Sequence, residues 1–193
     1  MGPRLLFGLS DGYDRAYNLK IRRRRPARHP EYSAVAAHRG FLTRYEAVRE
    51  SVQRRVTNTD AERIVFTGMS AGGALALPAF ADIAWDDSNR TLELVSFGAP
   101  RVFNRAGAEW IEWIVAHRPA DTKVLRVING NDPVPGVPPR ILGFRHLGET
   151  LHIGAPRRFF LISQRDHHPG YRDTLRRMLK ASGIDPDDFP YTN

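Results

Sequence analysis

One segment, Ile64-Val65-Phe66-Thr67-Gly68-Met69-Ser70-Ala71-Gly72-Gly73, limits the folds open to this chain more than any other. A short β-branched and aromatic run ends in a glycine-bracketed turn, and an Ala- and Leu-rich stretch follows to Trp85. The run, from Arg63 to Thr67, has the length and composition of a buried strand. The stretch from Gly72 to Trp85 reads as an apolar helix. A strand that turns straight into a helix is half of a βαβ unit, and such units build parallel sheets.

The rest of the chain keeps that alternation. Leu5–Leu9, Leu92–Phe97 and Val124–Ile128 read as strands, and Phe159–Ile162 as a further short one. Phe41, Leu42, Tyr45, Val48, Val52 and Val56 recur at helical spacing. Arg105–His117 and Tyr171–Leu179 read as helices as well. With 193 residues and no internal repeat or linker, the chain is expected to form one domain, 1–193. Ligands on such sheets bind beyond the carboxyl ends of the strands.

Composition removes several chemistries. The chain has no cysteine, which excludes disulfides, thiolate catalysis and cysteine-ligated zinc. No apolar run reaches membrane-spanning length, and the first residues lack the long apolar core of an export signal. The compartment is unknown from these features, with the cytoplasm as the default expectation. The formal net charge is +8, and lysine occurs only at positions 20, 123 and 180 among 29 basic residues. An arginine excess spread along the chain fits biased composition, while the field it creates favours anionic partners such as an acidic lipid surface. The densest cluster, Arg22–Arg25 with Arg28, holds no aromatic residue for base stacking, which argues against single-stranded nucleic acid.

Ser70 sits where a sharp turn strains the backbone, at a cost of about 1–3 kcal/mol, with glycines on both sides where side chains would collide. The following helix presents free N–H groups where negative charge would develop. A hydroxyl nucleophile needs a base, and the base an orienting acid. Asp132, in Asn129-Gly130-Asn131-Asp132-Pro133, follows the carboxyl end of a strand, although an Asn/Asp turn explains that stretch equally well. Asp121 lies at the other end of the same strand, and Asp86 and Asp87 follow a helix. Among later histidines, His146 and His152 read as packed or surface residues. His167 and His168 stand in a loop before the last helix, and chemistry alone leaves the choice between them open. No other ligand cluster joins that pair, so no metal and no cofactor is expected.

In ordered blocks the chain resembles the class 3 lipases of the α/β-hydrolase superfamily. The blocks are His38-Arg39-Gly40-Phe41, Val65 to Ala76, Phe97-Gly98-Ala99-Pro100-Arg101-Val102, Arg126 to Pro135, Val137-Pro138-Pro139 and His146-Leu147-Gly148. The resemblance implies an α/β-hydrolase fold: a mostly parallel central sheet, helices on both faces and a minimal N-terminal part. It implies hydrolysis of carboxylic ester bonds of lipids, with Ser70 as nucleophile and Asp132 as acid. The family's histidine is often separated by two residues from a tyrosine before the last helix. His168-Pro169-Gly170-Tyr171 has that spacing, so the resemblance favours His168 as the base. It makes Ser10, in Phe7-Gly8-Leu9-Ser10, and the N–H of Ala71 the oxyanion donors.

The chain departs from the family at Met69 and Ala71, where His and Leu usually flank the serine, at Phe7-Gly8-Leu9-Ser10, which lacks the usual Arg and Gly, and at Phe103. The segment Asp11–Leu19, where the family carries its lid, is short and polar, which predicts weak interfacial activation. Two other readings differ from a lipase. One is a cutinase-like or phospholipid esterase with the same triad. The other is a catalytically silent protein of this fold that binds anionic lipid or nucleic acid through its arginines.

Overall fold

The computed structural model describes residues 4–8, 23–24, 34–155 and 162–188. Strands β1 (Arg4–Gly8), β4 (Arg63–Met69), β5 (Thr91–Phe97), β7 (Lys123–Asn129) and β9 (Glu149–Ile153) form one sheet in the order β1-β4-β5-β7-β9. All four pairings are parallel. A smaller antiparallel sheet joins β2 (Arg23–Arg24), β3 (Ala37–His38), β6 (Phe103–Asn104) and β8 (Phe144–Arg145). The helices are α1 (Arg39–Thr57), α2 (Ala71–Asp86), α3 (Arg105–Ala116), the single turn α4 (Gln164–His167) and α5 (Gly170–Ala181).

Period-two alternation assigns the two faces of the large sheet. Ile64 and Phe66 of β4 and Leu92 and Leu94 of β5 pack into one core with α1, α2 and α3. Met69, Val95, Phe97, Leu125 and Val127 point the other way, against Tyr171 and Leu175 of α5. Helices therefore cover both faces. Helix α2 is buried nearly all round, as a helix between a sheet and other helices must be. Its one buried charge, Asp82, is held by a two-pronged contact from Arg49 at 2.7 and 2.9 Å and by the Tyr45 hydroxyl at 2.6 Å. Burial, then the Asp82 carboxylate, pushes the Tyr45 hydroxyl well above its ordinary range, so it remains a donor. This network locks α2 to α1 and fixes the axis of the helix that begins at the serine.

The strands and helices read from sequence recur within a residue or two of their expected ends. Strand β9 and the small sheet were not legible. Phe159–Leu161 lie outside the described residues, and Ile162 is not in a strand.

Candidate active site

Because the large sheet is parallel, the carboxyl ends of β4, β5 and β7 meet at one rim, with Met69 beside Phe97 and Phe97 beside Val127. Ser70 follows β4 with φ 54° and ψ −124°, and it is the one non-glycine residue at positive φ among those described. That conformation costs of order 1–3 kcal/mol and is held from both sides. The Ser70 N–H donates to the Phe97 carbonyl at 2.8 Å, and the Ala74 N–H donates to the Ser70 carbonyl at 3.1 Å. A Cβ on Gly68 would lie 2.4 Å from the carbonyl carbon of Gly72, so the turn closes only with glycine there. Ala71 is the first residue of α2, a position whose N–H has no acceptor within its own helix.

Asp132 stands in the loop after β7. Its side chain is 0% exposed, yet every approach to it is polar. Oδ1 accepts from the Val134 N–H at 2.9 Å, and Oδ2 accepts from the Tyr171 hydroxyl at 2.7 Å. Burial, then the bond to Asp132, holds the Tyr171 hydroxyl well above its ordinary range and therefore protonated. Tyr171 also accepts from the Asn129 N–H at 3.1 Å, which ties α5 to the end of β7. Gly98, at φ +57°, makes room for the acid: a Cβ there would lie 2.6 Å from Oδ2.

The histidine that meets these groups is His167. Its Nδ1 lies 2.9 Å from Asp132 Oδ2, and its Nε2 lies 2.9 Å from Ser70 Oγ. A carboxylate only accepts, so the proton is on Nδ1 and donates to Asp132. Nε2 is then free to accept from the serine hydroxyl. The ring is 10% exposed and stands edge-on to Tyr171, with centroids 6.3 Å apart. The choice of His168 from the spacing to Tyr171 is thus corrected. His168 leaves the α4 turn in extended backbone (φ −143°, ψ 121°) and is exposed.

The turn itself explains the difference. Ser163 caps α4 by accepting from the Asp166 N–H, while the Asp166 carboxylate accepts from the Asn131 N–H at 2.9 Å and its carbonyl from Asn129 Nδ2 at 2.9 Å. Asp166 pins the turn to the Asp132 loop, and the next side chain, His167, falls in line with Ser70. Ser163-x-x-Asp166 is a capping pattern in the sequence that marks a helical turn closing at His167. Tyr171, used in the sequence only as a spacing mark, is the other participant that the residues did not announce. Ser10 and the segment Asp11–Leu19 lie outside the described residues.

The other two histidines after Asp132 have different surroundings. His152 is exposed on β9. His146 Nε2 lies 2.8 Å from the Pro135 carbonyl, so this ring supports the loop that follows Asp132. Burial, then the nearby Arg126 charge, lowers its pKa from 6.5 to about 4. The unfolded chain therefore binds more protons between those two values. The stability from neutral His146 is complete above pH 6.5 and is lost as the pH falls through about 4. Between pH 7 and pH 5 His146 should account for a loss of about 2 kcal/mol in urea unfolding, and His146→Gln should show a correspondingly shallower pH slope. An unchanged slope in the variant would contradict this assignment.

A strained serine between a parallel strand and its helix, lined up with an imidazole and a buried carboxylate, is the α/β-hydrolase arrangement. The family described as Lipase (class 3) matches residues 8–142. The chain belongs to the class 3 lipase family. It is 34% identical over 118 residues to "Secreted mono- and diacylglycerol lipase 1" of Fusarium solani, covering 59% of this chain and 33% of that protein. A solved triacylglycerol lipase, described as having a serine protease triad as its catalytic centre, superposes with a TM-score of 0.60 at 28% identity. That match covers 70% of this chain and 51% of the other. The mono- and diacylglycerol lipase from Aspergillus oryzae shares the fold, with a TM-score of 0.66 at 24% identity over 84% of this chain and 58% of the other. The chain spans about a third of the length of the curated relatives it matches. Among the described residues no helix is long and apolar enough to cross a membrane. The Fusarium relative is named as secreted, so the cytoplasmic default draws no support from it.

Proposed function

We propose that this chain hydrolyses carboxylic ester bonds of lipids through Ser70, with His167 as general base and Asp132 as the acid that orients it. The observation that carries the reading is the unbroken line of contacts from Ser70 Oγ to His167 to Asp132, at 2.9 Å each.

Ser70 Oγ attacks the ester carbonyl as His167 Nε2 takes its proton. Asp132 holds the Nδ1–H and stabilises the imidazolium. The oxyanion of the tetrahedral intermediate faces the Ala71 N–H and, on the family resemblance, Ser10. One such donor contributes about 10²–10³ in rate. His167 then protonates the leaving alcohol, and water repeats the sequence on the acyl-enzyme. The relatives are named for mono-, di- and triacylglycerol hydrolysis, which makes acylglycerols the first substrates to try.

A panel of nitrophenyl esters of increasing chain length, run on the parent chain and on Ser70→Ala, tests the proposal. The parent should turn over at least part of the panel, and Ser70→Ala should lose about 10⁴–10⁶ in kcat/KM. Equal rates for the two proteins, or no turnover by the parent of any nitrophenyl ester or acylglycerol, would contradict it.

A further inference from the structure

A second cleft lies apart from the reacting groups. It has a volume of about 660 Å³ and opens where β7 and β9 end, with Asn129 beside Ile153 in the parallel register. Ligands on parallel sheets bind beyond such carboxyl ends. Ser70, Asp132 and His167 are not among the described residues that line it. One wall is the α4 turn, through Arg165 and Asp166, and the other is α5, through Gly170, Asp173, Thr174 and Arg177. Those four recur at the spacing of a single helix face. The walls close against each other at Gly170, where a Cβ would run into the Arg165 carbonyl.

The lining decides what the cleft can hold. Among the described residues only Ala155 and Pro169 offer it an apolar side chain, so it does not suit an acyl chain. Its acids already have partners. Asp166 accepts from the Asn131 N–H at 2.9 Å, and Asp173 lies 3.6 Å from Arg172 Nε. Its arginines differ: no described carboxylate pairs with Arg165 or Arg177. Arg177 donates one nitrogen to the Thr174 hydroxyl at 3.0 Å, which steadies the side chain and leaves the rest of its fork for a ligand. Two guanidinium groups, one on each wall, complement an anion. A carboxylate is filled by one fork, whereas the three terminal oxygens of a phosphate monoester serve two.

We propose that this cleft binds a small water-soluble phosphate monoester, held between Arg165 of α4 and Arg177 of α5. A phosphate there ties together the two elements that carry His167 and Tyr171. The binding does not depend on the serine's reactivity, and it goes beyond the hydrolase reading.

The test is isothermal titration of the full Ser70→Ala chain with glycerol 3-phosphate, and with glycerate as the carboxylate counterpart. The phosphate should bind one-to-one with a Kd below about 1 mM, and glycerate about tenfold more weakly or less tightly still. Arg165→Gln and Arg177→Gln should each weaken phosphate binding about tenfold or more. Arg105→Gln removes an exposed charge on α3, across the sheet, and should bind as the parent does. Arg165 and Arg177 are exposed, so the unliganded variants should melt at the parent temperature. Bound phosphate should also slow amide hydrogen exchange across residues 164–168. Equal binding of glycerate, equal weakening by all three variants, or binding that leaves that exchange unchanged would overturn the proposal. Phosphatidic acid carries the same monoester as a headgroup, so vesicles of phosphatidylcholine with and without it separate the two sources. Arginine-dependent capture by those vesicles with no binding of glycerol 3-phosphate would overturn the soluble ligand. No ester hydrolysis by the parent chain would sink the hydrolase reading and leave the titration result standing.

Discussion

His167→Ala is expected to lower kcat/KM for a nitrophenyl ester by about 10⁴–10⁶-fold, while His168→Ala leaves it within about twofold. The two residues are adjacent in the chain and opposite in environment. His167 bridges Ser70 Oγ and Asp132 Oδ2, and removing its ring leaves the hydroxyl without a base and a buried carboxylate without one of its donors. His168 is exposed past the end of the α4 turn. Steady-state kinetics on the two variants decide the matter. A large loss in His168→Ala with a mild one in His167→Ala would mean that the α4 turn sits in another register in solution.

Asp132→Asn should cost about 10⁴-fold in kcat/KM with little change in KM. The expected cause is the wrong imidazole tautomer, and the surroundings of Asp132 dictate it. Oδ1 accepts from the Val134 N–H, so the amide must turn its oxygen to that side. Its NH₂ then occupies the Oδ2 position and faces His167 Nδ1. That ring nitrogen becomes an acceptor, the proton moves to Nε2, and Nε2 no longer takes the serine proton. Tyr171 tolerates the exchange, since its hydroxyl accepts as well as donates. Kinetics together with the imidazole ¹⁵N shifts would separate this from simple unfolding. Full activity in Asp132→Asn would remove the acid from the mechanism.

The elbow was legible because its signals are local. An apolar run, a glycine-bracketed serine and an apolar helix each need only their own residues, and a Cβ at Gly68 would close the turn to any other chain path. Asp132 was legible as a residue past a strand end, but its burial under Tyr171 depends on an element that starts nearly forty residues later. The histidine was misplaced for the same reason. The motif spacing to Tyr171 favoured His168, whereas the ring's direction is set by Asp166 gripping the backbone at Asn131. Strand β9 escaped because only Ile153 of its five residues is buried, so it has neither an apolar run nor alternation to show. The strands of the small sheet are two residues each, shorter than any periodicity can mark.

The reactivity of one hydroxyl tests the whole account. A fluorophosphonate should add to the folded protein in a one-to-one ratio, map by peptide mass to Ser70, disappear after heat denaturation and fail to add to His167→Ala. A protein that stays unmodified across neutral and mildly alkaline pH, or that is modified elsewhere, would show that the aligned side chains do not make a nucleophile.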